Sequence, residues 1–115
     1  MRLLLAILVV ALAGQAEARS YRGHLYVGPE NEAFYPCGSK VGYWFVASPS
    51  VRGRLMSEGL AKSDSLSEQG VFVELDGDVG RATVESDGMA SAYPAYFHIE
   101  RLVVIRQVSA DDCQR

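Results

Sequence analysis

The chain has 115 residues, about half of them apolar and about a fifth charged, with a formal charge of −3. That is the size and mix of one small globular domain. A mild acidic excess with scattered Lys and Arg argues against a nucleic-acid partner, which would call for a basic patch, and against docking on an anionic membrane surface.

The first eighteen residues are set apart. Met1-Arg2 is a short positive start, Leu3 to Ala13 is an unbroken apolar run, and Ala16-Glu17-Ala18 places small residues at −3 and −1 of a cleavage site. This is the layout of a secretory signal peptide cleaved after Ala18. The run is far short of the ~20 residues that span a bilayer. A lipid-bearing cysteine would stand where Gln15 stands, so the mature chain is expected to be soluble, without a stable membrane anchor. Residues 19–115 are then one domain, exported to the periplasm or beyond. Its two cysteines, Cys37 and Cys113, could pair in an oxidising compartment and close a loop of about 77 residues, worth up to about 4 kcal/mol. Against pairing, Cys113 lies in a polar tail of the kind that frays.

Taken in order, Tyr21 to Val27 alternates as a strand, with Leu25 and Val27 on one face and His24 and Tyr26 on the other. Gly28-Pro29 ends it. Ala33 to Tyr35 is a short second strand closed by Pro36, and Cys37-Gly38-Ser39-Lys40 is a tight connection. Val41 to Ala47 is a third strand, apolar on both sides, with Tyr43 and Phe45 on one face and Trp44 and Val46 on the other. Trp44 and Phe45 are both expected to be framework, one in the core and the other under the helix or the Phe34 strand.

Ser48-Pro49 is a helix start, Ser48 as N-cap and Pro49 in the first turn. Val51, Leu55, Met56 and Leu60 form the apolar stripe of a short helix within Ser48 to Lys62, weakened by Gly53 and Gly59. Lys62 to Gly70 reads as a polar, mobile loop. Val71 to Asp76 is a fourth strand, Gly77 to Gly80 a turn or bulge, Arg81 to Glu85 a hairpin extension, and Ser86 to Pro94 turn and loop. Tyr96 to Val108 is the last strand. Its inward phase slips from Phe97 and Ile99 to Leu102 and Val104, as a β-bulge would cause. Three strands, a helix and two strands predict an all-β fold with one short helix, a small five-stranded OB-like Greek-key barrel.

Tyr26-Val27-Gly28-x-Glu30, then Phe34-x-Pro36-Cys37-Gly38-Ser39 and Tyr43-Trp44, resembles the OB-type domain of NlpE-like bacterial envelope proteins. The resemblance runs from about Tyr21 to Arg106 and includes Val71 to Gly77 and Ile99 to Val103. It implies an OB barrel, an envelope location and a framework role for Phe34 to Trp44. Pro29 stands where the family often has His, the lipid-bearing cysteine is missing, and no Cys-x-x-Cys domain is present. The family's copper and stress-signalling roles therefore do not carry over.

Four groups of side chains could carry chemistry. Cys37 with His24, His98 and a Met could form a copper site, or Cys37 a reactive thiol, although a nucleophilic cysteine needs a base within reach and no ligand pair has metal-site spacing. Glu74, Asp76 and Asp78 could bind calcium, but a solvated strand face explains them more simply. Glu30 and Glu32 could pair as acid and base, but nothing else in the chain supports this and a solvated turn explains them far better. Tyr21, Tyr26, Phe34, Tyr35, Tyr43 and Trp44 could line the open face on which OB folds stack ligands, with some of these rings in the core. The expectation is a non-catalytic binding or accessory module without cofactor or metal. Its contacts would be Tyr26, Tyr35, Tyr43 and Trp44, and its partner an envelope protein or a glycan. The alternative is a small periplasmic copper-handling or enzymatic protein using Cys37 and nearby histidines.

Overall fold

A computed structural model describes residues 19–29, 31–80, 93 and 95–114. The expected signal sequence, Glu30 and the expected hairpin extension of Arg81 to Glu85 lie outside the described residues. The elements are β1 (Arg19–Gly28), β2 (Asn31–Pro36), β3 (Tyr43–Ala47), α1 (Pro49–Lys62), β4 (Val71–Gly80) and β5 (Tyr96–Arg106). The strands close into a barrel in the order β1-β2-β3-β5-β4. Only β3 and β5 run parallel; every other neighbouring pair is antiparallel. Five strands in this closed order, with the helix between the third and fourth, give the small OB-like all-β barrel that the order of elements predicts. In the middle of β1, Gly23, His24 and Leu25 pair with β2 on one side and with β4 on the other.

The alternation of β1 points Leu25 and Val27 inward, where they meet Phe34, Phe45, Val71, Val73, Leu75 and Phe97. Each fully buried side chain of this kind contributes about 1.5–3 kcal/mol of transfer free energy. Phe45 is 1% exposed and is the core ring of β3. Trp44 takes the opposite face and is only half-buried. It packs edge-on against Tyr93 rather than under the helix or the Phe34 strand, so of the two neighbouring rings Phe45 alone is core framework.

β5 slips phase twice, not once. Its residues in the barrel core are Phe97, Ile99, Leu102 and Ile105. Along β4, pairing skips Glu100 between Gly77 and Asp76, and skips Val103 between Leu75 and Glu74. Both skipped residues are exposed. The second bulge carries the inward position to Ile105 instead of Val104. Bulges add the local twist that closing a small barrel requires. Gly77 to Gly80 is accordingly not a turn: β4 runs on to Gly80, which pairs with Tyr96.

α1 closes one end of the barrel. Ser48 Oγ accepts the Val51 N–H at 3.3 Å, as its place before Pro49 predicts. Leu55 is fully buried, and Val51 and Met56 pack against the core. Leu60 is 64% exposed and does not belong to the stripe. Gly59 is buried in its place, under Leu66. The Arg54 guanidinium donates to the Leu102 carbonyl between the two β5 bulges and also pairs with Glu58.

The segment after α1 is not a loose loop. Leu66 enters the core at 6% exposure, and its carbonyl accepts the Val27 N–H at 2.9 Å. Gln69 Oε1 accepts from Ser63 Oγ and the Asp64 N–H. The serines that suggested mobility are turn formers whose hydroxyls bond the neighbouring backbone.

Candidate functional site

Residues opposite each other in an antiparallel pair share a face. Tyr26 stands opposite Ala33, and Ala33 opposite Trp44, on the outside of β1, β2 and β3. Tyr35, two residues beyond Ala33, joins them. The Tyr26 and Tyr35 rings meet at 90° with centroids 5.8 Å apart. Each lies against a glycine. A Cβ on Gly42 would come within 2.5 Å of the Tyr35 ring. One on Gly70, which sits at φ +71, would come within 2.9 Å of the Tyr26 ring. The rings can lie flat on the backbone only because these positions have no side chain.

Beside the two rings is an open hollow of about 280 Å³ lined by Tyr26, Asn31, Tyr35, Ser67 and Glu68. Asn31 is tied at both ends of its amide. Its Oδ1 accepts from the Tyr93 hydroxyl at 3.1 Å, and its Nδ2 donates to the Ser67 carbonyl at 3.4 Å. Burial, with a smaller contribution from Tyr35, raises the Tyr93 phenol above its ordinary pKa, so it remains a donor. The face therefore offers two perpendicular apolar walls, an oriented amide and one carboxylate, Glu68. Among the described residues, no Lys or Arg lines the hollow.

The structure thus brings Tyr26, Tyr35 and Trp44 to one face and takes Tyr43 away from it. Tyr43 stands opposite the buried Phe34, packs against the core, and approaches Phe97 at 6.4 Å. Tyr21 likewise meets Phe97 edge-on at 4.9 Å. Asn31, Ser67 and Tyr93 were not legible in advance, because each is an ordinary loop or turn residue until the barrel closes.

A second cluster gathers at the C-terminus. Cys37 and Cys113 form a disulfide with Sγ atoms 2.06 Å apart and Cα atoms 5.3 Å apart. The tail does not fray, because Asp112 anchors it. Asp112 is 2% exposed and is the one buried charged side chain among the described residues. Its Oδ2 contacts His24 Nε2 at 3.0 Å and accepts the Ser109 N–H at 2.8 Å, and its Oδ1 accepts from Arg106 at 2.8 Å. Its backbone carbonyl accepts from Arg22 at 3.1 Å. Beneath lies Phe72, fully buried although it points out of the barrel core. The guanidinium groups of Arg22 and Arg106 stand 5.4 and 4.2 Å from its ring centre, and His24 meets it edge-on at 5.6 Å.

Burial alone would raise the Asp112 pKa. The Ser109 N–H, His24 and Arg106 outweigh it and hold the carboxyl below its ordinary value. A carboxyl depressed in the folded state contributes stability that is present above its ordinary pKa and lost as pH falls through the depressed one. Asp112→Asn should lower the melting temperature at neutral pH and flatten its decline in the acid range. Thermal melts of both proteins from neutral to strongly acidic pH check this. Parallel curves would show that Asp112 is not the titrating group.

The other sequence candidates are dispersed or paired. Cys37 is bonded to sulfur, and His24 is engaged by Asp112. Along β4, His24 stands opposite Phe72 and His98 opposite Asp78. Six strand positions separate them, roughly 20 Å, too far to share a metal ion. Asp76 pairs with Arg101 at 2.9 Å and Glu74 faces Arg22 at 3.8 Å, so the acidic row is largely neutralised. Glu32 pairs with Arg52. Among the described residues, no group of three or more His, Cys, Asp or Glu could hold a metal, and no helix is long and apolar enough to cross a membrane. Comparison with protein-family models, curated proteins and solved structures gives no match to this chain.

Proposed function

We propose that this protein is an exported, non-catalytic binding module of a bacterial envelope, of the NlpE-like OB type, which holds a neutral glycan against the outer face of β1 to β3. The observation that carries the reading is the hollow beside Tyr26 and Tyr35. Sugars bind by laying their C–H faces on aromatic rings while a few fixed polar groups meet their hydroxyls, and Asn31 and Glu68 are such groups. Among the described residues no cation lines the hollow, which disfavours phosphate-bearing ligands. The face is also the one on which OB barrels take oligosaccharides. The alternative, copper handling or catalysis through Cys37, would first need the disulfide opened.

Titration of the mature domain with a neutral N-acetylhexosamine tetrasaccharide, followed by amide chemical shifts, tests the reading. Shifts should concentrate on Tyr26, Asn31 and Tyr35, and Tyr35→Ala should weaken binding by about tenfold or more. Tyr43→Phe should not change it. A single-stranded oligonucleotide that binds as well as the sugar would defeat the proposal. Export is tested separately: mass spectrometry of the envelope fraction should find Arg19 as the first residue.

A further inference from the structure

The cluster around Phe72 resembles a ligand site with its ligand already in place. Two guanidinium groups and an imidazole, held on β1 and β5, converge over a buried ring. What they hold is a carboxylate from a separate segment, the tail beyond β5. That carboxylate is almost wholly removed from water, and among the described residues its charged contacts are Arg106 and His24, with Asp111 and Glu74 the acidic groups nearby. Glu74 pairs with Arg22 at 3.8 Å, and Asp111 is exposed. The residue next to Asp112 is Cys113, whose disulfide ends on Cys37, and the Cys37 N–H is bonded to the Arg22 carbonyl at 2.7 Å. The covalent bond and the ionic contacts therefore fasten the same short segment to the same strand.

We infer that Arg22, His24 and Arg106 over Phe72 form a carboxylate-binding site, filled in the oxidised chain by Asp112, and that the Cys37–Cys113 disulfide controls access to it for a carboxylate on another molecule. Two events at adjacent residues that require the same docked tail must help each other, and by equal amounts. Docking of Asp112 holds Cys113 beside Cys37 and favours the disulfide. The disulfide in turn raises the effective concentration of Asp112 at its site, so a dissolved carboxylate cannot compete. Cys113 is exposed, so a dithiol reductant can reach it. The attacking thiolate bonds to one sulfur and the other leaves as a thiolate. The reductant's second thiol then displaces the mixed disulfide. The S–S bond of the protein is replaced by two S–H groups, and the dithiol departs as a disulfide. With the tail released, the site is open to an acidic side chain or a chain-terminal carboxylate.

Two measurements on the full mature chain test this. The first is the equilibrium of Cys37–Cys113 with reduced and oxidised glutathione. Asp112→Asn should shift it toward the dithiol by about tenfold or more, since hydrogen bonds to a charged group are worth ~1.5–3 kcal/mol each. An unchanged equilibrium would show that the disulfide and the carboxylate act independently and would overturn the inference. The second uses Asp112→Ala with the disulfide intact, which keeps the chain stapled while emptying the site. Sodium acetate should raise its melting temperature above that in sodium chloride of equal ionic strength and shift the His24 ring resonances. The oxidised wild type should not distinguish the two salts. If acetate and chloride act alike on a folded Asp112→Ala protein, the cluster is a structural ion pair and not a binding site. Should that variant fail to fold, Asp112→Asn serves in the same comparison.

Discussion

Phe45→Ala should bring the domain's melting temperature down close to physiological temperature, whereas Trp44→Ala, one residue away, should leave it well folded. Phe45 is 1% exposed and central to the barrel core. Truncating such a ring costs about 3–5 kcal/mol, against a total stability of about 5–15 kcal/mol for a domain, toward the low end for one this small. Trp44 is half-buried on the outer face, and what it would lose is mainly its edge contact with Tyr93, 5.7 Å between ring centres. That loss is about 1–2 kcal/mol. Urea unfolding followed by circular dichroism measures both, since the fluorescence of the only tryptophan disappears with Trp44. The reverse order of stabilities would mean that β3 is flipped, with Trp44 inside.

Cys37→Ser and Cys113→Ser should each lower the melting temperature by the same large amount, and reductant should do the same to the wild type. The disulfide joins residues 76 apart in sequence and so closes most of the domain into one loop. Loop entropy for such a closure is worth about 4 kcal/mol. For a domain of this size each kcal/mol moves the midpoint by about 4–8 °C, so the fall should be roughly 15–30 °C. The two single variants and the double variant should coincide, because each removes one and the same bond. A wild type that melts identically with and without reductant would contradict the bridge.

The aromatic face and the tail illustrate how position in the barrel, rather than residue type, decides a side chain's role. Tyr26, Tyr35, Tyr43 and Trp44 are equivalent as a set of rings in sequence. Parity along β3 divides them: Tyr43 shares the inward phase of Phe45, and Trp44 the outward one. Parity was readable in advance. Which parity faces the core of a strand apolar on both sides was not, because that depends on what the neighbouring strands and the helix cover.

The sequence alone determined the order and type of the elements, because turn residues, alternation and the Ser48-Pro49 start are local signals that tertiary contacts here reinforce. It also determined the inward phase of β1 and the first slip in β5. Only the closed barrel decided the second β5 bulge, the extension of β4 to Gly80, the burial of Leu66 and the exposure of Leu60. These follow from strand register and helix docking, which involve residues distant in the chain. The tail shows this most plainly. Ser109 to Gln114 is polar and terminal, a composition that by itself favours fraying. It is ordered because β1 and β5 bring His24, Arg22 and Arg106 together over Phe72, at a point where one carboxylate satisfies them and one sulfur reaches Cys37. No local pattern encodes that meeting, since its partners are up to 90 residues apart.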